Sequence, residues 1–343
     1  MSDKIFVKDE VSPSMEEVEK RVDKNLTIPP EYKKFTLSSN GKLSIPAQLH
    51  FKDYNFDDAL KLGMTDDEDM LSNLIQILNG CVFEDIDCAN FHEKEMEEVL
   101  LNMFFNFWGK TLEKAYPYKD EELESIKKKN PEKYSMIVSG KTIPTVELSV
   151  KDLSDFSYLP DNFKEPICIR DDLTGNTYKF MFPRLKHLLI AKEHSDQKFF
   201  QDQMKFAKLE EDLKFNRRVE EEGLTLTPKE INQELYSEYK KMSQEKVNDF
   251  LMVRQALLIS GMNSKECNTL SERLDVYPKI GLHVWQIFNK IVEDYSFGVK
   301  QDIQVISPIT GEKVTCTFQL EFVDLLPSND VQHSDGYSVS FGN

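Results

Sequence analysis

The residues best placed to do chemistry are few. His187 and His194 lie two helical turns apart, so one helix would put both imidazoles on the same face, with Glu193 beside them. Two imidazoles on one face begin a divalent-metal site, which needs at least a third protein ligand. The same spacing equally gives two ordinary surface histidines. His92-Glu93 opens like a zinc-protease helix, but no His stands four residues after His92, so that pattern fails. Asp66, Asp67, Glu68 and Asp69 supply hard oxygen donors, yet they fall where a helix begins and its dipole favours negative charge. The calcium-loop pattern of alternating acids, central Gly and closing Glu is absent. Glu220-Glu221-Glu222 reads as a solvated helix end. A carboxylate pair for glycoside hydrolysis would be distant along the chain and would leave no local signature. No phosphate-binding loop, dinucleotide glycine fingerprint, Gly-x-Ser-x-Gly elbow or Cys-x-x-Cys pair occurs. The expectation is a protein with no catalytic residue, no cofactor and no metal.

A different kind of signal is repeated. Ile167–Phe182 carries alternating apolar residues on both sides of Thr174-Gly175, the pattern of a β-hairpin. The pattern returns at Ile303–Phe318 around Thr310-Gly311. Superposing the two Thr-Gly pairs matches Ile167 with Ile303, Ile169 with Val305, Leu173 with Ile309 and Phe182 with Phe318. Either the hairpins are structurally equivalent, or turn chemistry alone imposes a shared pattern. Gly175 and Gly311 are expected at positive φ, where a Cβ is unfavourable. Thr174, Gly175, Thr310 and Gly311 are the expected contact positions.

Helices must hold these hairpins. Thr65 and Glu68 form a capping-box pattern ahead of Met70, Leu71, Leu74, Ile75 and Leu78, and Asn79-Gly80 closes that helix. A second helix is predicted from about Phe91 to Tyr116, on Met96, Val99, Leu100, Met103, Phe104, Phe107 and Trp108, packed antiparallel to the first. Residues 117–165 are polar and punctuated by Pro, a linker with short strands such as Thr145–Val150. Residues 185–222 read as one or two helices. Thr227-Pro228-Lys229-Glu230 starts another, which Gly261 and Asn263 interrupt. A short helix near Lys265–Leu274, capped by Ser264, precedes a last helix from about Pro278 to Tyr295, apolar on two sides and expected to be the most buried of the second half. The predicted fold is α+β, mainly α-helical with two small β-hairpin elements. Its expected segments are an arm (1–30), an N-terminal helical domain (31–130), a linker with the first hairpin (131–184), a helical body (185–298), the second hairpin (299–327) and a tail (328–343). The arm is either disordered or ordered against a neighbouring subunit.

Composition narrows the class. The chain has 343 residues, 40% hydrophobic, with 23 Phe and 12 Tyr, enough for substantial cores in two or three domains. Its net charge of -17 disfavours nucleic-acid phosphates and anionic membranes as partners. No apolar run reaches the roughly 18–20 residues of a membrane span, and Met1–Phe6 lacks a signal-peptide core. Five scattered cysteines suit reduced thiols in a cytosol.

The second half orders its features in a telling way. Val253-Arg254-Gln255-Ala256-Leu257-Leu258 is followed by a short helix, a Trp-bearing helix, Phe297-Gly298-Val299 and the hairpin from Ile303. This resembles the baseplate hub and hub-assembly family of contractile-tailed (T-even-like) bacteriophages. In the first half Leu71–Cys81, the acidic Glu84-Asp85-Ile86-Asp87 step and Phe107-Trp108-Gly109 follow a similar order, and Pro183–Lys192 is similar to that family's Leu-Leu-Ile-Ala-Lys stretch. The matches touch about half the chain. Ser307-Pro308-Ile309-Thr310-Gly311 stands where the family carries a Cys-x-x-Cys-Gly turn, so the metal cysteines are missing and no zinc is implied. The resemblance implies a non-catalytic tail or baseplate structural or assembly protein. Its partners would be other phage structural proteins, tail or baseplate subunits, with self-association an option. No nucleic acid, membrane or small-molecule substrate is expected. Its place would be the cytoplasm of the infected host cell, with retention in the virion open. A head- or connector-associated virion protein is the alternative, and an enzyme with a dispersed carboxylate or histidine site is the third reading.

Overall fold

The computed structural model describes residues 28–43, 45–63, 67–215, 228–318, 320 and 325. Helix outweighs strand, and the strands form small antiparallel sheets, which is an α+β class. The described chain divides into two compact units, Lys164–Val292 and a second made of residues 28–163 together with 293–325. The expected terminal arm up to residue 27, the tail from 328, and the Thr65, Thr227 and Glu220–Glu222 readings lie outside the described residues.

In the unit formed by 28–163 and 293–325, β1 (Lys33–Thr36) pairs antiparallel with β2 (Gln48–Phe51), Phe35 facing Leu49. Strand alternation turns Phe35, Leu49 and Phe51 inward, and the Phe35 and Phe51 rings stack at 5.4 Å. Helix α1 (Phe56–Gly63) precedes α2 (Asp67–Cys81), which buries the predicted Leu74, Ile75 and Leu78. Helix α3 (Glu93–Met103) starts at His92: its Nδ1 accepts the Lys94 N–H at 3.0 Å, and Glu95 accepts the His92 N–H at 2.8 Å. The His92-Glu93 pair is thereby a helix start.

The helix predicted to reach Tyr116 does not. It ends in a π-helical turn, Phe104–Trp108, and Thr111–Ala115 forms β3, paired with β4 (Thr145–Ser149). Gly109 is the break: it is extended, and a Cβ there would come within 2.7 Å of the Phe104 ring. Leu112 then faces Leu148, both buried, and that long-range pairing overrides the local helical pattern. Nor do the first two long helices form the expected pair. Helix α2 packs with α1 and the 88–90 turn, whereas α3 packs with its own π-turn and with residues 298–299. The supposed linker contains α4 (Asp120–Lys129) and α5 (Pro131–Val138) before β5 (Phe156–Ser157). Their charges obey the helix dipole, with three acids opening α4 and three lysines closing it.

In Lys164–Val292, β6 (Ile167–Arg170) and β7 (Thr177–Phe180) form the first predicted hairpin. Helices α6 (Leu185–Phe215) and α7 (Pro228–Leu257) follow and pack together around Ala191, Val253 and Leu257. Residues expected only to interrupt a helix instead make β8 (Ile259–Met262), which joins β7, and β9 (Lys265–Glu266) completes a sheet ordered β6-β7-β8-β9. Helix α8 (Leu270–Val276) is capped by Thr269, whose side chain accepts the Glu272 N–H, rather than by Ser264. Helix α9 (Leu282–Asp294) buries Val284, Trp285 and Phe288 but exposes Leu282 and Ile287. It is buried on one face, not two, because the sheet offers it a single surface. There Phe180 stacks on Phe288 at 4.6 Å and meets Trp285 edge-on at 5.2 Å.

The chain then returns to the other unit. Strand β10 (Gly298–Val299) pairs with β5, and β11 (Asp302–Ile306) with β12 (Lys313–Thr317) forms the second hairpin. The partition therefore differs from the sequence-based segments. Residues 131–163 and the second hairpin join the N-terminal unit, and the first hairpin joins the helical body. Pairings such as β3–β4 and β5–β10 close over many residues and have no local signature.

Phe180→Ala should cost about 3–5 kcal/mol, since two aromatic rings lose their partner. Phe200→Ala, on the exposed face of α6, should change stability by no more than about 0.5 kcal/mol. Urea unfolding followed by circular dichroism separates the two.

Candidate functional site

The two hairpins share more than a pattern. In the first, Ile167 faces Phe180 and Arg170 faces Thr177; in the second, Ile303 faces Cys316 and Ile306 faces Lys313. These are the same registers once Thr174-Gly175 is laid on Thr310-Gly311. The turns close alike. The Gly175 N–H donates to Asp171 O at 2.7 Å, and the Gly311 N–H donates to Ser307 O at 2.9 Å. The Asp171 N–H donates to Asn176 O at 2.7 Å, and the Ser307 N–H to Glu312 O at 2.8 Å. Gly175 has φ of 74° and Gly311 of 78°, the left-handed conformation expected of both.

The first residue of each turn is buried and organises it. Asp171 Oδ1 accepts the Leu173 N–H at 2.9 Å, and its Oδ2 accepts the Thr174 hydroxyl at 2.8 Å. Ser307 Oγ accepts the Ile309 and Thr310 amides at 3.2 and 3.1 Å. Each anchor is also bound to a helical element of its own unit. Asp171 Oδ1 lies 2.9 Å from His283 Nε2, and the Ser307 hydroxyl donates to Glu122 Oε1 at 2.8 Å. Glu122 also accepts the Tyr116 hydroxyl at 2.7 Å, and Lys133 donates to Pro308 O at 3.0 Å. The second turn is therefore pinned from α4 and α5.

These bonds set the charges. The Thr174 hydroxyl above all, then the Leu173 amide and His283, hold the Asp171 carboxyl below its ordinary range. Burial pushes Glu122 up, but hydrogen bonds from Tyr116, the Lys119 amide and Ser307 outweigh it and leave Glu122 below its ordinary range. Burial, with the bond to Glu122, raises the Tyr116 phenol.

Of the predicted contact residues, Thr174, Gly175 and Gly311 are exposed and Thr310 is half-buried. Leu173 beside them is 83% exposed, and Ile306, at the foot of the second turn, 63%. Strands β6 and β11 are each the outer strand of their sheet among the described residues. The anchors Asp171 and Ser307 were missed from the sequence. Their signal was present: a short polar residue four positions before a turn Gly favours just such a side-chain-to-backbone turn.

The other candidates separate. His187 is buried, with its Nδ1 accepting the Arg184 N–H at 3.2 Å, and burial together with Lys186 and Arg184 keeps its ring well below its ordinary range. His194 lies 3.0 Å from Asp249, which also accepts Lys198, so it ties α6 to α7. Among the described residues no group of three His, Cys, Asp or Glu is placed to hold a metal. Burial and carboxylate neighbours push the Cys81 thiol up to about 12. A cleft of about 380 Å³ is lined by Lys94, Ser157, Phe297, Lys300, Asp302 and Thr317 among others. Its two lysines are committed, Lys94 to Glu97 at 2.6 Å and Lys300 to Asp155 at 2.8 Å.

No helix of the described residues is long and apolar enough to cross a membrane. No protein-family model, no curated protein and no solved structure matches the chain.

A Cβ at Gly175 or Gly311 meets open space, so only backbone strain opposes it. Gly175→Ala and Gly311→Ala should each lose about 1–2 kcal/mol by urea titration. Asp171 has a depressed folded value, so its stabilisation is complete above its unfolded range and is lost as pH falls through the folded one. Asp171→Asn should accordingly flatten the fall in melting temperature on acidification below about pH 4. An unchanged acid limb would remove Asp171 from the anchoring role.

Proposed function

We propose that this chain is a non-catalytic structural or assembly protein of the tail or baseplate of a contractile-tailed, T-even-like bacteriophage, acting through protein–protein contacts. The single observation that supports the reading best is the pair of hairpins with one register and one turn geometry, each tethered by a buried anchor and each presenting an exposed apolar residue. Two tethered, matched tips whose strands β6 and β11 each keep an outer edge unpaired among the described residues suit the capture of extended segments of partner proteins by strand addition. An exposed side chain such as Leu173 would supply side-chain selectivity to the backbone pairing. The partners would be tail or baseplate subunits, met in the cytoplasm of the infected host, with the chain either released or kept in the virion.

A tagged chain recovered from its native infected culture should bring down tail or baseplate proteins, identified by mass spectrometry. Its presence in purified particles would mark a resident subunit, and its absence from them a transient assembly factor. The double variant Leu173→Glu, Ile306→Glu should lose that capture by at least about tenfold with an unchanged circular dichroism spectrum. Recovery of no virion protein would overturn the phage reading. Undiminished capture by the double variant would move the contact away from the hairpins.

A further inference from the structure

Helix α3 carries three buried carboxyl side chains within one turn, Glu95, Glu97 and Glu98, each no more than 3% exposed. Glu95 is committed to the helix start, where it accepts the His92 N–H at 2.8 Å. Glu97 pairs with Lys94 at 2.6 Å through Oε2, while its Oε1 is buried without a hydrogen-bond partner among the described residues. Glu98 is paired with no cation among the described residues. Its Oε2 accepts the Ser38 N–H at 2.8 Å, and its Oε1 is hydrogen-bonded to the Ser38 hydroxyl. Ser38 and Ser39 are themselves buried, and Ser39 Oγ makes no hydrogen bond.

Ser38 belongs to the loop between β1 and β2, which is held on its other side as well. The Leu159 N–H donates to Ser38 O at 3.2 Å, and Lys42 Nζ reaches Leu159 O at 2.8 Å and Asp161 at 2.9 Å. The loop is thus clasped between α3 and residues 159–161. The charged groups that act on Glu98 are Glu95 and Glu97 on the same helix; Lys94 lies one turn before it on α3 and Lys42 lies on the Ser38 loop. Lys94 and Lys42 both spend their ammonium on other acceptors.

Three carboxylates buried within one turn cannot all be ionised at low cost. A carboxylic acid suits the site of Glu98 better than a carboxylate, because a neutral acid can be buried on hydrogen bonds alone. We infer that Glu98 holds a proton in the folded protein below neutrality and that its loss as pH rises through neutrality loosens the Ser38–Lys42 loop from α3, making the β1–β2 connection a pH-sensitive latch. Burial, opposed by the two Ser38 bonds and reinforced by Glu95 and Glu97, raises this carboxyl to about 7. The sign follows: below the ordinary carboxylate range both folded and unfolded chains are protonated, and the latch is intact. As pH rises between that range and about 7, the unfolded chain has lost its proton and the folded one has not, so stability falls, levelling off above the folded value.

The test is amide hydrogen exchange of the full chain from pH 5.5 to 8.5, corrected for intrinsic rates. Protection of the Ser38 amide should fall about tenfold or more in the wild type across neutrality and stay flat in Glu98→Gln, whose amide cannot ionise. Flat wild-type protection, or the same fall in Glu98→Gln, overturns the latch. A carboxyl-carbon NMR titration of the wild type keeps the test independent of whether the variant folds. Glu98 titrating between about pH 6 and 8 supports the inference, and Glu98 titrating in the ordinary range near pH 4–5 overturns it.

Discussion

The hydrogen bond from a left-handed glycine back to the carbonyl four residues before it is the constraint on which both hairpins rest. It forces the strands on either side into one register, and a one-residue slip would turn every inward side chain outward. Tyr178 and Phe180 reach the core of Lys164–Val292 because Gly175 closes the turn where it does, and Ile303 and Cys316 are inward in the other unit because Gly311 does the same. The turns alone would not be rigid. Asp171 and Ser307 convert them into fixtures by bonding inward to His283 and Glu122 while organising the tip amides. The chemistry of the two anchors differs, a carboxylate meeting an imidazole and a hydroxyl meeting a carboxylate, yet the geometry they hold is the same.

Around these fixtures the two units solve different problems. The unit Lys164–Val292 is a small sheet backed by one face of α9, with the long α6–α7 pair attached. That pair is apolar at its base, around Val253 and Leu257, and further along it is held by ion pairs such as Lys246 with Asp196. Two buried arginines knit the base. Arg184 binds Glu165 at 2.6 Å, and Arg273 donates to Leu257 O at 2.6 Å. In the other unit the polar burden lies on α3, whose three buried glutamates are paired or hydrogen-bonded unequally. Burial of a charge without a counter-charge is costly enough that the protonation state of Glu98 becomes part of the fold.

The sequence by itself determined what short-range chemistry controls. Alternation around Thr-Gly determined both hairpins, because the pleat has a period of two and Gly alone takes positive φ freely. The 3.6-residue spacing of Leu71, Leu74, Ile75 and Leu78 determined α2, and the apolar spacing after Pro183 and Pro228 determined α6 and α7. The tertiary structure decided what distance hides. Thr111–Ala115 is a strand because Thr145–Ser149 lies beside it, and Gly261 sits in a strand because Lys179 is its neighbour. The second hairpin belongs with the N-terminal unit because Glu122 receives Ser307. Asp171 and Ser307 read as ordinary turn residues until the helical partners appear, and Glu98 reads as one more acid on a helix until burial removes its water. Local propensity is carried by neighbours in the chain, whereas the partner that satisfies a buried polar atom, or withholds a counter-charge from it, is supplied only when distant segments meet.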